Sequence, residues 1–384
     1  MRQFHWDSKD LSFQLGLGVL LLAFGGGCGS AYTATLVPVP PTPSSGISSL
    51  YTMSNTVSGN AVIVFVRRPD GTLGEMTSYT TGGLGVGHGL ENQGALAASQ
   101  DNKYLLVVNP GSDDVSVFQV TSQGLGLTAR VSSGGRYPVS VAERAGLVYV
   151  LNRGSQVNDP NGDNISGLVL GPDGSLAPIP GSTTQLSGAS TNAAQVGFSP
   201  NGSLIVVTEH GTGFIDTYTV DAGGVTGSRQ VQRSTGTGPF GFAFRNASQL
   251  YVSEAGGGTA SSYTVSPQGA LQTISRAVQT QQRTACWLVI TPNHKEAYTS
   301  NTVSGTISEF TIGVDGSLSL AASIAATPQG HPLDMAITPG GLYLNVLTDS
   351  GNIEVFGIDA ASGSLTQVQV ITGLPAGTNG LAIL

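Results

Sequence analysis

Charged residues and cysteines are scarce in this sequence. Only 10% of its 384 residues carry a charged side chain, and no cluster of basic residues is longer than the pair Arg67-Arg68. The formal net charge of -8 is spread thinly, which argues against electrostatic binding of nucleic acid, because that binding needs clustered Lys and Arg. Two cysteines provide no disulfide framework. The fold must therefore be stabilised by packing of the hydrophobic residues, which make up 39% of the chain.

Sustained helical periodicity is also missing, whereas short stretches with a period of two are common. Val62, Val64 and Val66 alternate with other residues in this way, and such alternation is typical of a β-strand. The 55 glycines, many of them beside Pro, Asn or Asp, mark turns between strands. The sequence thus predicts an all-β protein with very little helix.

The first 28 residues have the order of a bacterial secretory signal. Arg2 and Lys9 precede an apolar run over residues 11–24, and three glycines follow the run directly before Cys28. The apolar run is shorter than the ~20 residues that span a bilayer. Small residues before a cysteine are typical of a lipoprotein cleavage site, so we predict that Cys28 is lipidated. Ordinary signal cleavage and a retained membrane anchor are the two alternatives.

This leader divides the chain into three predicted regions. They are a signal peptide over residues 1–28, a tether rich in Pro, Ser and Thr over 29–49, and a domain built from repeats over 50–384. The protein is then expected in the cell envelope, either periplasmic or at the outer membrane. We expect a monomer that contacts the membrane through its lipid anchor alone.

Seven copies of one pattern follow each other from Tyr51 to the C-terminus. In each copy an apolar strand ends in a polar residue, and a glycine turn, a second alternating strand and a further glycine turn come after it. Repeats of roughly 40–50 residues indicate the four-stranded blades of a β-propeller. The first strands of the copies end near Asn55, Asn109, Asn152, Glu209, Glu254, Asn301 and Thr348. We therefore predict seven blades.

The two ends of the repeat region are expected to meet. An apolar segment, the predicted innermost strand of a blade, precedes each copy except the first. The last residues, 380–384, resemble the missing segment. We predict that they supply the inner strand of the blade that begins at Tyr51, because this closes the ring without a long exposed sheet edge.

One face of the predicted propeller carries most of the polar loop residues. Linkers from an outer strand to the next inner strand, and turns from a second to a third strand, emerge there around the mouth of the central channel, where a small ligand is expected. The residues just before inner strands are His88, Arg136, Asn192, Arg283, His331 and Asn379. Those just after second strands are Asn55, Asn109, Asn152, Arg153, Glu209, His210, Glu254 and Asn301. The predicted ligand contacts are His88, Arg153, Asn192, His210 and Asn301.

Glu209 and Glu254 are the predicted acid–base residues, because they occupy a position that is Asn in four other copies. A carboxylate near the channel axis could act as a general base or hold a cation. The structural alternative is that it hydrogen-bonds the following turn. Arg283 and His331 are predicted to stabilise an oxyanion or a substrate carboxylate, and their alternative is a solvated loop position.

Motifs for metals, cofactors and covalent catalysis are not found. Residues 158–164 alternate oxygen ligands but lack the spacing and closing Glu of a calcium loop, which favours an exposed turn. No zinc spacing and no Gly-x-Ser-x-Gly motif occur. Cys286 lies in a strand-like run and is expected to be a small buried hydrophobic residue. We predict no cofactor and no metal.

The repeats resemble the lactonase-like seven-bladed propellers, a family that includes propeller-type 6-phosphogluconolactonases and carboxymuconate cyclases. The resemblance covers Tyr51 to Leu384 and rests on Leu-Tyr-Val-Ser-Glu at 250–254, Phe-Ser-Pro-Asn-Gly at 198–202 and the recurring Asp-Gly-Ser-Leu turns. It implies the propeller fold and a lactonase-like activity, in which Glu254 matches a glutamate of the family's fifth blade.

Two stretches depart from the enzymatic members of that family. Those members have histidines at the entrance to the fourth blade, whereas residues 191–195 read Thr-Asn-Ala-Ala-Gln here. They also have an arginine after the Ser-Asn of the sixth blade, where this chain has Thr302. Arg283 is the residue that could supply the missing positive charge.

The sequence leaves two functions of different classes open. The first is an extracytoplasmic hydrolase or isomerase of lactones or sugar acids, with Glu254 or Glu209 as the base and Arg283 with His331 as electrostatic partners. The second is a non-catalytic propeller of the cell envelope that binds a carbohydrate or a partner protein through the same rim.

Overall fold

A computed structural model of the protein describes residues 48–154, 162–188 and 190–384. The predicted signal peptide, Cys28 and the tether up to residue 47 lie outside these residues, as do residues 155–161, which overlap the predicted turn at 158–164. The described secondary structure consists of strands and turns. In these ranges no helix is long and apolar enough to cross a membrane.

Seven antiparallel sheets follow each other along the chain, one for each predicted copy. Blade 1 begins with β1 (Ser49–Met53), β2 (Ala61–Arg67) and β3 (Leu73–Thr80). Blade 2 consists of β4 (Leu96–Ala98), β5 (Tyr104–Asn109), β6 (Asp114–Thr121) and β7 (Gly124–Ser132). Blade 3 consists of β8 (Pro138–Arg144), β9 (Leu147–Asn152), β10 (Asn164–Leu170), β11 (Leu176–Pro178) and β12 (Thr184–Gln185). Its outer edge is divided, because both β11 and β12 pair with β10.

The remaining blades have four strands each, paired in chain order from the channel outwards. Blade 4 consists of β13 (Ala193–Phe198), β14 (Leu204–Glu209), β15 (Phe214–Thr219) and β16 (Gln230–Arg233). Blade 5 consists of β17 (Pro239–Asn246), β18 (Gln249–Glu254), β19 (Thr259–Val265) and β20 (Leu271–Gln279). Blade 6 consists of β21 (Ala285–Ile290), β22 (Glu296–Asn301), β23 (Thr306–Ile312) and β24 (Leu318–Ala326). Blade 7 consists of β25 (Pro332–Ile337), β26 (Tyr343–Thr348), β27 (Ile353–Ile358) and β28 (Leu365–Ile371).

The final strand, β29 (Asn379–Ile383), closes the ring. It pairs antiparallel with β1, with Leu50 opposite Ile383, and so becomes the inner strand of blade 1. The prediction that the C-terminus supplies this strand is confirmed. Inner strands of successive blades contact each other around the whole ring, including β25 with β29 and β29 with β4.

Buried tyrosines join neighbouring blades. Tyr149 donates its hydroxyl hydrogen to Gly224 O (2.7 Å) across the boundary between blades 3 and 4, and Tyr251 donates to Gly316 O (3.1 Å) between blades 5 and 6. Both glycines have a φ in the left-handed region, 79° and 90°, which a turn of this kind requires. The repeated pairing of a tyrosine on a second strand with a glycine turn of the next blade therefore fixes the spacing of the blades.

Each inner strand pairs within its blade on one edge only, so its other edge faces the channel with backbone groups that need partners. At three places a side chain of one inner strand accepts a hydrogen bond from a backbone N–H of the next inner strand. The bonds run from Val196 N to Ser140 Oγ (3.2 Å), from Phe242 N to Gln195 Oε1 (2.7 Å) and from Leu381 N to Asp334 Oδ2 (3.0 Å). The last of these crosses the seam where blade 7 meets blade 1.

Asp334→Asn tests the buried carboxyl at this seam. Burial raises the pKa of Asp334 from 3.8 to about 8, although hydrogen bonds from Met335 N and Leu381 N lower it. Between about pH 4 and about pH 8 the folded protein therefore holds a proton that the unfolded chain releases, so the free energy of unfolding falls as the pH rises through this window. We expect the substitution to remove this contribution, up to about 1.4 kcal/mol per pH unit. Urea unfolding at several pH values measures it, and an unchanged pH dependence would contradict the assignment.

Candidate functional site

A cavity of about 630 Å³ lies at one end of the channel. Its wall is formed by the first residues of inner strands together with outer-to-inner linkers and second-to-third turns, which emerge on the face where the sequence places most of its polar loop residues. Apolar side chains such as Phe240, Trp287 and Leu333 form much of the wall. The polar and charged residues on it are His88, Glu91, His210, Thr284, Thr302, Thr348, Asp349, Thr378 and Asn379. An apolar wall with a few polar groups is typical of a small-molecule site.

The linker between β3 and β4 enters the channel. It runs over residues 81–95, and it is much longer than the linker of residues 280–284 between β20 and β21. Its first half lies on the turn that follows β1, where Gly85 N donates to Thr56 O (2.9 Å). We call residues 88–94 the channel segment.

Asn92 and Gln93 of the channel segment contact blades on different sides of the ring. Gln93 N donates to Ala194 O in blade 4 (3.0 Å), and Gln93 O accepts a hydrogen bond from Ser140 Oγ in blade 3 (2.7 Å). Trp287 Nε1 in blade 6 donates to Asn92 O (2.7 Å). Because three inner strands separated around the ring bind these two residues, the segment spans the channel beside the cavity.

The side-chain amide of Gln93 pairs with the backbone of blade 6. Its Nε2 donates to Leu288 O (3.0 Å), and its Oε1 accepts from Leu288 N (3.2 Å). Gly241 in blade 5 leaves the space for this amide, since a Cβ there would lie 2.1 Å from Gln93 Oε1. Gln93 therefore provides the hydrogen-bond partners of Leu288 on the channel-facing edge of β21, although Gln93 belongs to a linker and not to an inner strand.

Glu91 places an exposed carboxylate on the cavity wall. Its φ of 48° lies in the left-handed region, which is uncommon for a residue other than glycine. The carbonyl oxygen of Glu91 accepts a hydrogen bond from Arg153 Nη2. The repeats do not predict Glu91, because it lies in a linker without a counterpart in the other copies; His88 and the surrounding glycines are the signals that the sequence offers there.

His210 lies on the same wall with a ring that is neutral at physiological pH. Burial lowers the pKa of its imidazole more than the nearby Glu91 raises it, and Arg153 lowers it further. Asn192 Nδ2 lies 3.3 Å from His210 Nδ1, so with the amide as donor the neutral ring carries its proton on Nε2. Phe240 packs edge-on against the ring, with centroids 5.9 Å apart. The structure thus brings together His210 and Asn192, two of the predicted ligand contacts.

His88 and Arg153, also predicted to bind ligand, take different positions. His88 is exposed on the cavity wall, and its Nδ1 lies 3.0 Å from Gly89 O. Arg153 supports the wall from behind, because its Nε donates to Ala193 O (2.8 Å) while its Nη2 binds the Glu91 carbonyl. Its guanidinium therefore holds the channel segment in place.

His331 and Arg283, the predicted electrostatic partners, lie at the edge of the site. His331 Nδ1 lies 2.8 Å from Asp349 Oδ2, and of this pair Asp349 is the one on the cavity wall. Arg283 is exposed outside the cavity residues, whereas its neighbour Thr284 is among them.

Glu254 lies inside blade 5, away from the cavity wall. Its side chain is 0% exposed. Oε1 accepts hydrogen bonds from Ser234 Oγ (2.6 Å), Gly236 N (2.7 Å) and Ser261 Oγ (2.8 Å), and Oε2 accepts one from Thr259 Oγ1. Because donors of blade 5 and of the linker that leads into it occupy both oxygens, the geometry favours the structural alternative for Glu254 over the role of a base.

Glu209 and Asn301 are buried in the corresponding places of blades 4 and 6. Glu209 accepts a hydrogen bond from Ser187 N (2.9 Å), and Asn301 Nδ2 donates to Ser308 Oγ (2.8 Å). Neither residue is on the cavity wall. In blades 4, 5 and 6 the residue that ends the second strand therefore hydrogen-bonds its blade or the linker that leads into it, whether it is an amide or a carboxylate.

Cys286 lies on β21 beside the cavity with a buried side chain. Burial raises the pKa of its thiol to about 12, so the thiol stays protonated at neutral pH. Within the described ranges no group of three or more His, Cys, Asp or Glu side chains could hold a metal ion.

The closed ring defines a seven-bladed β-propeller with a cavity at one end of its channel. A family model described as lactonase, seven-bladed β-propeller, matches residues 50–158 and 180–378. The chain belongs to this family. The resemblance predicted from the repeats is confirmed.

Solved structures of the same fold share little sequence identity with this chain. A candidate 6-phosphogluconolactonase from Bacteroides fragilis is 20% identical, with a TM-score of 0.72 over 90% of this chain and 99% of that chain. The periplasmic gluconolactonase of Pseudomonas aeruginosa is 18% identical, with a TM-score of 0.71 over 87% of this chain and 99% of that chain. At such identities the likeness shows the fold alone. No curated protein matches the chain.

Glu254→Gln distinguishes the structural role of Glu254 from a catalytic one. A Gln side chain can keep its oxygen at the Ser234, Gly236 and Ser261 donors, but it loses the charge that strengthens these bonds. We expect the free energy of unfolding to fall by about 1–3 kcal/mol, measured by urea unfolding, while ligand-induced shifts of the melting temperature stay unchanged. A Glu254→Gln variant that keeps the stability of the wild type but whose melting temperature no longer responds to ligand would contradict the structural role.

Proposed function

We propose that the protein hydrolyses an uncharged lactone in the cavity at the end of its channel. The observation that carries the proposal is the presence of an exposed carboxylate, Glu91, and a neutral imidazole, His210, on one cavity wall. These two groups can serve as a proton acceptor and a hydrogen-bond donor, which are the two that opening of a lactone ring requires. Membership of the lactonase propeller family supports the reaction class.

Glu91 is the general base in this proposal. Its carboxylate takes a proton from a water molecule as the water oxygen forms a bond to the lactone carbonyl carbon. The tetrahedral intermediate then collapses, the bond between the carbonyl carbon and the ring oxygen breaks, and the protonated Glu91 returns the proton to the departing alkoxide. The product is the open hydroxy acid, and no further reactant is consumed.

His210 stabilises the oxyanion that develops on the carbonyl oxygen. Asn192 at Nδ1 leaves the ring proton on Nε2 as the donor, and burial keeps the imidazole neutral by lowering its pKa.

The charge of the wall favours an uncharged ring over a phosphorylated one. Neither Lys nor Arg is among the described residues of the wall, whereas Glu91 and Asp349 contribute carboxylates. Partial burial works to raise the pKa of Asp349, but hydrogen bonds from His331 outweigh it and lower that pKa. A phosphate group, with a charge of about -1.5 to -2 at pH 7, would meet two negative side chains.

The test is turnover of glucono-δ-lactone and of its 6-phospho derivative, followed by proton release and corrected for spontaneous opening. We expect kcat/KM to be at least about tenfold higher for the uncharged lactone, because like charges oppose the phosphate. Glu91→Gln should lower kcat about 10²- to 10⁴-fold, since the amide cannot accept the proton from water.

Glu75→Gln is the matched control, because Glu75 is an exposed carboxylate on the outer strand β3. It should leave kcat unchanged. Full activity of Glu91→Gln would overturn the assignment of the base. A wild-type protein whose melting temperature rises with oligosaccharides but which opens no lactone would instead favour the non-catalytic binding alternative.

We also propose that the mature protein is a monomer anchored in the cell envelope by a lipid on Cys28. The order of Arg2, the apolar run over residues 11–24 and the glycines before Cys28 supports this. Mass spectrometry of the membrane-extracted protein should show loss of residues 1–27 and acylation of Cys28, and Cys28→Ala should move the protein to the soluble fraction. An unmodified N-terminus on the membrane-extracted protein would contradict the anchor.

A further inference from the structure

We propose that Gln93 is a positioning residue that sets the place of Glu91 in the cavity through a slot that Gly241 leaves open. The inference rests on the proposed function, because it concerns the base of that reaction. Gln93 does not lie on the cavity wall, so it acts through the residue two positions before it and not on the substrate.

The slot exists because blade 5 lacks the side chain that other blades place there. Ser140, Gln195 and Asp334 each accept a hydrogen bond from the inner strand of the next blade. Gly241 holds the corresponding place before blade 6 and has no side chain to offer, so Leu288 N and Leu288 O face an open slot.

The amide of Gln93 fills this slot and satisfies both backbone groups. A donor and an acceptor separated as in a peptide group are needed to bind Leu288 O (3.0 Å) and Leu288 N (3.2 Å) together. Among the side chains, only Asn and Gln carry both permanently. A Cβ at residue 241 would lie 2.1 Å from Gln93 Oε1 and 2.9 Å from both Cys286 O and Leu288 N, so the amide of Gln93 can occupy the slot only while residue 241 is glycine.

Hydrogen bonds of the backbone of residues 92 and 93 link the position of this amide to the position of Glu91. Gln93 N and Gln93 O bind blades 4 and 3, and Asn92 O accepts from Trp287 Nε1 (2.7 Å). Glu91 directly precedes Asn92 and has a φ of 48°, a conformation that the surrounding contacts must maintain. Since a shift of about 1 Å in a reacting group can cost about 10²-fold in rate, loss of this anchor should act on kcat.

The experiment is a double-mutant cycle of Gln93→Ala and Gly241→Ala in the full chain. Trp6→Phe serves as the background, because it leaves Trp287 as the sole tryptophan of the two in the sequence. Each substitution alone should lower kcat on glucono-δ-lactone about 10- to 100-fold with little change in KM, since the base moves while the wall remains. Adding Gln93→Ala to Gly241→Ala should then lower kcat less than threefold further, because Gly241→Ala has already displaced the amide.

Gln93→Glu gives a readout that a loss of stability would not produce. A protonated carboxyl can donate to Leu288 O and accept from Leu288 N, whereas the ionised form cannot donate. The ratio of its kcat to that of the wild type should therefore rise as the pH falls, while the same ratio for Gln93→Ala stays flat. Ser99→Ala, which changes a turn on the opposite face, is the control for general destabilisation.

The fluorescence of Trp287 separates failure of this inference from failure of the proposed function. Both single variants should shift its emission, because Trp287 Nε1 donates to the channel segment. Shifted emission without lactone turnover by the wild type would end the proposed function, and with it the role of Gln93 in catalysis, but would leave the anchor itself standing. Unshifted emission in both variants, or additive losses of kcat, would overturn the inference even if the lactone is opened.

Discussion

Every inner strand of the ring turns one edge towards the channel, and the N–H and C=O groups on that edge must find partners. In this protein several of them find partners in side chains of the neighbouring inner strand. Ser140 and Gln195 reach from one blade to the next, and Asp334 does so across the seam that β29 closes. This requirement connects the closure of the ring, the buried acid at the seam and the placement of the cavity.

The exception to the pattern creates the site. Blade 5 has Gly241 where the neighbouring blade has a long polar side chain, and the 81–95 linker supplies the absent amide through Gln93. To do so the linker must descend into the channel, and this brings Glu91 to the wall on which His210 lies. A structural need of blade 6 and the chemistry of the cavity are thus met by one segment.

The repeats predict the fold, the number of blades and the ring closure, because strand alternation and glycine turns are local signals that recur in each copy. The position of Glu254 and Glu209 in the repeat predicts side chains at the channel mouth, whereas the structure buries both and hydrogen-bonds them to Ser234 and Ser187. The repeats say nothing of Glu91 or Gln93, since the linker that holds them occurs once. The pairing of Gln93 with Gly241 joins residues far apart in sequence, so no local sequence pattern predicts it.

Amide hydrogen exchange with and without gluconolactam, a slowly reacting isostere of the lactone, tests most directly whether the cavity above the channel segment is the ligand site. The account predicts slower exchange in peptides that cover residues 88–94, 284–288 and 348–351, all of which include wall residues or their anchors. Protection that instead falls on the opposite face, at the turns of residues 172–175 and 315–318, would contradict it, and so would binding that protects none of the wall.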